Sequence, residues 1–79
     1  MMKFTEIVIL QFDDAAPLDQ RVKFWDGKRF VADRAHAMVY PSDRIAVPAF
    51  DRVVEEVGNA QPLALVENYG RDDEFVIDR

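Results

Sequence analysis

The sequence predicts an α+β domain, in which a mostly antiparallel sheet of four to five strands carries one amphipathic helix on one face. Residues 40–58 have apolar side chains at helical spacing, while the other apolar stretches are short and rich in β-branched and aromatic residues. Apart from the helix, no connection is long enough to join parallel strands. With 79 residues, 49% of them hydrophobic, the chain is expected to form a single domain over residues 1–79.

The helix follows from a stripe of apolar residues whose spacing places them on one side of a helix. The stripe consists of Ala46, Phe50, Val53, Val54 and Val57. Ser42 suits the N-cap, and Gly58 suits the C-terminal end. Because proline fits best at a first helical position, we begin the helix at Pro48. Ile45 and Ala46 extend the stripe upstream, so a start at Asp43 with a kink at Pro48 is the alternative.

Residues 3–12 (KFTEIVILQF) are predicted to form a central strand, because the apolar side chains at 7–10 fall on both faces. The helix covers one face. The other face is either covered, with Trp25 as one candidate, or open as a binding patch. Further strands are predicted at residues 37–40, 62–67 and 74–78, and Gly70 is the pivot of the last turn.

Residues 21–32 are predicted to form a hairpin whose register depends on its loop. A three-residue loop at 25–27 pairs Phe24 with Lys28 and leaves Trp25 at the exposed tip. This register collects apolar side chains on one face, against which the helix stripe would pack. A two-residue loop would pair Phe24 with Arg29 and split the apolar set. The inner face then holds Val22, Phe24, Phe30 and Ala32, and the outer face holds Arg21, Lys23, Arg29 and Val31.

The formal net charge is −5, and the charges are segregated along the chain. Basic residues are in excess at 20–36, and acidic residues are in excess at 13–19, 55–66 and 67–79. A solvated face is the simplest interpretation of such segments. The Asp-rich loop at 13–20 lacks the alternating ligands and the glycine of a calcium loop, so we predict no metal site.

Catalysis needs a nucleophile beside a base, or a cluster of ligands, and the sequence offers little of either. Its one His, one Ser and one Thr are scattered, and it has no Cys. Ser42 is assigned to the helix cap, and His36 lies in a turn beside Asp33, where a surface histidine is the simpler interpretation. We therefore predict neither an enzyme nor a cofactor. The lack of cysteine and of a signal-like N-terminus favours a cytoplasmic protein.

Two charged surfaces are candidates for binding a partner protein. The first combines Trp25 with the basic side chains of its hairpin, since Trp and Arg are frequent interface anchors. Those basic residues are Arg21, Lys23 and Arg29. The second is the acidic C-terminal segment, whose carboxylates would occupy a basic groove meant for phosphates. Its residues are Glu67, Asp72, Asp73 and Glu74.

The segment FWDGKRFVADRAHAMVYPS, followed by an amphipathic helix and the strand PLALVE, resembles an arrangement in small accessory proteins of phages and mobile elements. With its length, acidity and lack of catalytic residues, the chain is similar to small anti-CRISPR proteins. The resemblance implies a non-enzymatic inhibitor that binds a Cascade-type surveillance complex of a type I CRISPR–Cas system in the host cytoplasm and hinders target DNA binding. It assigns no site residue.

Two other functions are compatible with the sequence. One is a small nucleic-acid-binding or antitoxin-like regulator that uses the basic hairpin and its tryptophan. The other is an assembly or dimerisation module. Net negative charge opposes the counterion release that drives DNA binding, so we expect no direct nucleic-acid binding. We also expect a monomer with no membrane contact, because the longest apolar run, residues 7–10, is too short to span a bilayer.

Overall fold

The computed structural model describes residues 5–58 and 61–77. This part of the chain forms β1 (Ile7–Phe12), β2 (Val22–Trp25), β3 (Phe30–Val31), α1 (Asp43–Val57), β4 (Leu63–Glu67) and β5 (Phe75–Ile77). The strand order is β3-β2-β1-β4-β5, and each neighbouring pair is antiparallel. The predicted α+β class, with an antiparallel sheet and one helix, is confirmed.

β1 is the central strand, as its apolar pattern predicts. Its side chains alternate between the two faces of the sheet. Ile7 and Ile9 pack with α1, whereas Val8 and Leu10 belong to a second apolar cluster on the opposite face, and all four are buried. Both faces of the sheet therefore contribute to the core.

β1 begins later than predicted. Residues 3 and 4 of the predicted strand lie outside the described residues, and the described strand starts at Ile7. Ahead of it, the backbone of Glu6 bonds to the turn after β4. The Glu6 N–H donates to Asn68 Oδ1 (3.2 Å), and the Asn68 N–H donates to the Glu6 carbonyl (2.7 Å). At the far end, Asp13 leads into a loop that contains a short 3₁₀ turn, Leu18–Gln20.

α1 begins at Asp43, so the preferred start at Pro48 is wrong and the alternative start is confirmed. The Ala46 N–H donates to the Ser42 carbonyl (2.9 Å), which closes a first turn ahead of the proline. Ser42 holds the N-cap position, although its side chain makes no capping hydrogen bond. Pro48 removes one N–H donor from the helix. The carbonyl that this N–H would have bonded belongs to Arg44, an exposed residue.

The apolar stripe of α1 packs on the sheet. Its buried residues are Ala46, Phe50 and Val53. Ile45 does not extend the stripe as predicted: it is 53% exposed, because it lies one residue ahead of Ala46 and points away from the sheet. The helix ends at Gly58 as predicted, with a φ of +74° and an N–H that donates to the Val54 carbonyl (2.9 Å).

The hairpin of β2 and β3 has neither of the two registers considered. Phe24 pairs with Val31 and Trp25 pairs with Phe30, which leaves a loop of residues 26–29. Asp26 closes this loop. Its Oδ1 accepts the N–H groups of residues 28 and 29 at 2.8 Å each, and its own N–H donates to the carbonyl of residue 29 (3.0 Å). The longer loop places Trp25 inside the strand and not at the tip.

This register also changes which face each side chain occupies. The predicted set of Val22, Phe24, Phe30 and Ala32 does not share a face. Trp25 and Phe30 lie under α1, with their rings in an edge-to-face contact at 5.1 Å. Val22 and Phe24 lie on the opposite face. The helix therefore packs against the Trp25 side of the hairpin, and the prediction that it packs against the Phe24 side is wrong.

The strand predicted at residues 37–40 is not formed. Arg34–His36 is a 3₁₀ turn, and Tyr40 makes only an isolated bridge with Ile7, with N–H···O distances of 3.0 and 2.8 Å. The Met38 N–H donates to the Trp25 carbonyl (2.8 Å). The segment thus bonds to two different strands in turn, which prevents a regular ladder with either one.

Candidate functional site

Trp25 is not available as an interface anchor. Its side chain is 6% exposed and belongs to the core under α1. Burial with Trp25 raises the pKa of the nearby Tyr40, although a hydrogen bond with the Trp25 side chain partly offsets this. A hot-spot aromatic must reach the partner, and this one is enclosed by its own chain. The prediction of an exposed Trp25 at the hairpin tip is therefore wrong.

The basic residues of the hairpin are dispersed. Lys23 is half-buried within β2 and pairs with Gln11 of β1. Arg21 precedes β2, and its Nε donates to the Ala16 carbonyl (3.1 Å). Arg29 is exposed in the loop. These side chains do not surround an exposed aromatic residue, so the structure does not bring the first predicted surface together.

In the loop between β2 and β3, the Asp26 carboxylate interacts with the residues that follow it. The N–H groups of Arg29 and Lys28 bond to the Asp26 carboxylate and lower its pKa below the ordinary value of 3.8. The Arg29 guanidinium adds a smaller electrostatic contribution in the same direction. The carboxylate thus fixes the loop that determines the register. We interpret this loop as a structural turn.

The second predicted surface lies at the other end of the sheet. Beyond β4, residues 68–74 form a turn that leads into β5, the strand at the end of the sheet opposite β3. We call this region the acidic edge. It comprises Glu67, Asp72, Asp73, Glu74, Phe75 and Val76. The first is half-buried and the other five are exposed.

Internal hydrogen bonds hold the turn of the acidic edge. Asn68 has a φ of +55° and Gly70 a φ of +81°, a conformation in which such residues are favoured. The Gly70 N–H donates to Glu74 Oε1 (2.7 Å), and Asn68 Nδ2 donates to Asp73 Oδ2 (3.0 Å). Asp72 is exposed, and its carboxylate takes no part in these hydrogen bonds. The carboxylates of residues 72–74 are therefore displayed on a defined backbone.

Arg34 ties this turn to the rest of the protein. Its Nη2 donates to the Tyr69 carbonyl (2.6 Å), and its guanidinium lies 5.2 Å from the centre of the Tyr69 ring. The Tyr69 ring in turn packs edge-on against Phe24 at 5.7 Å. Tyr69 and Ala37 thus help to cover the sheet face opposite α1. Of the two alternatives for that face, the covered one is confirmed, but the covering residues include Tyr69 and Ala37 and not Trp25.

Two apolar side chains on the acidic edge lie in solvent. Phe75 is 60% exposed and Val76 is 58% exposed. They are consecutive residues of a strand, so they project from opposite faces of the sheet. Neither was among the predicted contact residues. The available signal was the apolar pair that directly follows three consecutive acidic residues in the sequence.

The single histidine of the sequence lies in the 3₁₀ turn that precedes α1. His36 Nε2 lies 3.9 Å from Asp33 Oδ2, and both side chains are more than half exposed, as in an ordinary surface turn. Asp33 Oδ1 accepts the Ala35 N–H (2.9 Å) and so caps the 3₁₀ turn. Within residues 5–58 and 61–77, no group of three or more His, Cys, Asp or Glu side chains could hold a metal ion. No helix in these ranges is long and apolar enough to cross a membrane.

A cleft of about 210 Å³ lies between the C-terminal end of α1 and the start of β4. Its described walls are Phe50, Val54, Gly58, Gln61, Pro62 and Leu63. None of these side chains is ionisable, so the cleft offers apolar contact but no acid or base. At the acidic edge, exposed carboxylates lie beside two exposed apolar side chains.

Comparison of the chain with protein-family models, curated proteins and solved structures gives no match. No relative's ligand or activity therefore bears on the acidic edge. Its function has to follow from its own residues.

Proposed function

We propose that this chain is a non-enzymatic inhibitor that uses its acidic edge to bind a basic, nucleic-acid-binding protein. The resemblance noted in the sequence implies that the target is a Cascade-type surveillance complex of a type I CRISPR–Cas system, whose engagement of target DNA the bound protein would hinder. One observation carries the proposal: carboxylates on a hydrogen-bonded turn stand directly beside two exposed apolar side chains.

The carboxylates supply the charge that a DNA-binding groove recognises. Arg and Lys side chains that bind phosphates also form charge-assisted hydrogen bonds with carboxylates. The turn at residues 68–74 is held by its own hydrogen bonds and by Arg34, so little conformational freedom is lost when it binds. Because Asp72 is exposed, it is the side chain that we expect to contact a basic partner first.

Phe75 and Val76 supply apolar contact area, which the carboxylates do not. Charge pairs at the rim of an interface mainly accelerate association and add little affinity. Apolar side chains that become fully desolvated at the centre of a contact contribute more. The combination favours a protein partner, which offers apolar surface beside its basic residues.

Direct binding to nucleic acid is less well supported. The sequence pI is about 4.6, and the tryptophan that would stack on bases is buried. The exposed Arg29 lies in a loop whose Asp26 carboxylate offsets part of its charge. We therefore expect the isolated protein to leave DNA unshifted at low salt in a gel assay.

The test is inhibition of target DNA binding by a panel of purified type I surveillance complexes. The wild-type protein should inhibit at least one complex, and Asp72→Lys should weaken that inhibition about tenfold or more. Glu55→Lys is the matched control: it makes the same charge change at an exposed position of α1, and should inhibit like the wild type.

Two results would contradict the proposal. The first is that the wild-type protein inhibits none of the complexes. The second is that Asp72→Lys and Glu55→Lys have equal effects, because net charge and not the acidic edge would then matter. Raising the salt concentration should also weaken inhibition, since exposed charges are screened beyond about 8 Å at physiological ionic strength.

A further inference from the structure

β5 has a free side. It is the last strand in the sheet order and pairs with β4 alone among the described residues. In an antiparallel sheet, the N–H and carbonyl groups of alternate residues point to opposite sides of the strand. Residue 76 therefore points its backbone groups one way, and residues 75 and 77 point theirs the other way. One of these two sets faces outward, where it can bond to another strand.

The two edges of the sheet differ in what surrounds their backbone. β3, at the opposite edge, has only two residues, and Phe30 and Val31 are both half-buried. At β5, Phe75 and Val76 are more than half exposed on opposite faces of the strand. An added strand at β5 would therefore gain apolar contacts on both faces as well as backbone hydrogen bonds.

We propose that β5 accepts an extended segment of the partner as an additional strand of the sheet. This inference rests on the proposed function, in that the partner is a protein with a basic surface. The segment that fits has apolar residues opposite Phe75 and Val76 and basic residues beyond them, beside Asp72 and Glu74. Backbone bonds provide affinity in this mode of recognition, and the side chains provide specificity.

Charge argues against a second copy of this chain as the added strand. Each copy carries a net charge of −5, so like-charge repulsion opposes the association of two copies. A basic segment instead meets complementary charge at the same positions.

The first test uses a synthetic peptide, Lys-Lys-Val-Ile-Val-Lys-Lys, with a matched peptide in which glutamates replace the lysines. We expect the lysine peptide to shift the backbone amide resonances of residues 74–77 in an NMR titration of the full chain. It should also slow hydrogen exchange of the outward-facing amides about tenfold, as one additional hydrogen bond would. Equal binding of the glutamate peptide, or shifts centred on β3 or on the α1 cleft, would overturn the proposal.

The second test removes single backbone donors. N-methylation of residue 75 or residue 76, introduced by chemical ligation, blocks one N–H and keeps the side chain. The methyl group that faces β4 should lower the melting temperature, whereas the outward one should leave it unchanged and abolish binding of the lysine peptide. Strand addition would be overturned if both N-methylated proteins melted like the wild type. It would also be overturned if the protein that keeps the wild-type melting temperature still bound the lysine peptide.

These experiments contain no surveillance complex, so they fail independently of the proposed function. If the peptide does not bind while Asp72→Lys still loses inhibition, the acidic edge acts through its side chains alone and strand addition is wrong. If the peptide binds at β5 but no type I complex is inhibited, the identity of the partner is wrong. A concentration-dependent dimer in sedimentation would assign the edge to a second copy and overturn the choice of occupant.

Discussion

The hairpin of β2 and β3 and the acidic edge are alike in sequence and unlike in structure. Each combines charged residues with an aromatic residue near a turn. Trp25 in the hairpin is 6% exposed, whereas Phe75 on the acidic edge is 60% exposed. β2 has a strand on both sides and contributes Trp25 to the core under α1, whereas β5 pairs with β4 alone among the described residues. The mixture of charged and aromatic residues in the sequence therefore does not reveal which aromatic side chain is exposed.

The largest expected effect that separates the two regions is on stability. Trp25→Ala should lower the free energy of unfolding by about 3–5 kcal/mol, as truncation of a buried aromatic side chain does. Phe75→Ala should cost about 1 kcal/mol or less, because that side chain is mostly in water already. Urea denaturation of both variants measures the difference. Equal losses would mean that the two regions are not distinguished by burial.

A smaller effect should show how the acidic edge is fixed. Arg34→Ala removes the hydrogen bond to the Tyr69 carbonyl and the contact with its ring, and should cost about 1 kcal/mol. Arg44→Ala, at an exposed position of α1, is the control and should change stability little. Denaturant melts compare the two. If Arg34→Ala behaves like Arg44→Ala, the turn does not depend on its contact with Arg34.

The smallest effect concerns the loop between β2 and β3, and it depends on pH. Folding lowers the pKa of Asp26 below 3.8, so the charged form contributes stability above that value, and the contribution is lost as the pH falls below it. Asp26→Asn keeps an acceptor oxygen but cannot titrate. Between about pH 5 and about pH 2, the melting temperature of the wild type should therefore fall more than that of Asp26→Asn. Parallel curves would show that the charge of Asp26 does not hold this loop.

The sequence is sufficient for the parts of the fold that depend on local pattern. Apolar residues at 7–10 predict a central strand, and the spacing from Ala46 to Val57 predicts a helix on one face of an antiparallel sheet. The acidic residues at 67–74 are also identified directly. The start of α1 does not follow from the pattern alone. The preference of proline for the first turn predicts a start at Pro48, whereas the apolar residues upstream predict a start at Asp43. In the structure, hydrogen bonds upstream of Pro48 begin the helix at Asp43.

The remaining features depend on contacts that spacing does not reveal. The hairpin register follows from hydrogen bonds of the Asp26 side chain to the backbone two and three residues ahead, and it is this register that buries Trp25. Arg34 and Tyr69 are 35 residues apart in sequence. The exposure of Phe75 and Val76 follows from the position of β5 at the end of the sheet. The last two of these features require the tertiary arrangement, whereas the hydrogen bonds of Asp26 are local.

The aromatic side chain of the acidic edge is exposed, whereas the tryptophan of the hairpin is buried. The chain has a single tryptophan, so acrylamide quenching of its fluorescence measures this difference. In the wild type, emission should be blue-shifted and resist quenching, because Trp25 is buried. In a variant with Trp25→Phe and Phe75→Trp, checked for folding by circular dichroism, emission should shift to the red and be quenched several-fold more readily. A wild-type tryptophan that is quenched as readily as the one introduced at position 75 would contradict the account.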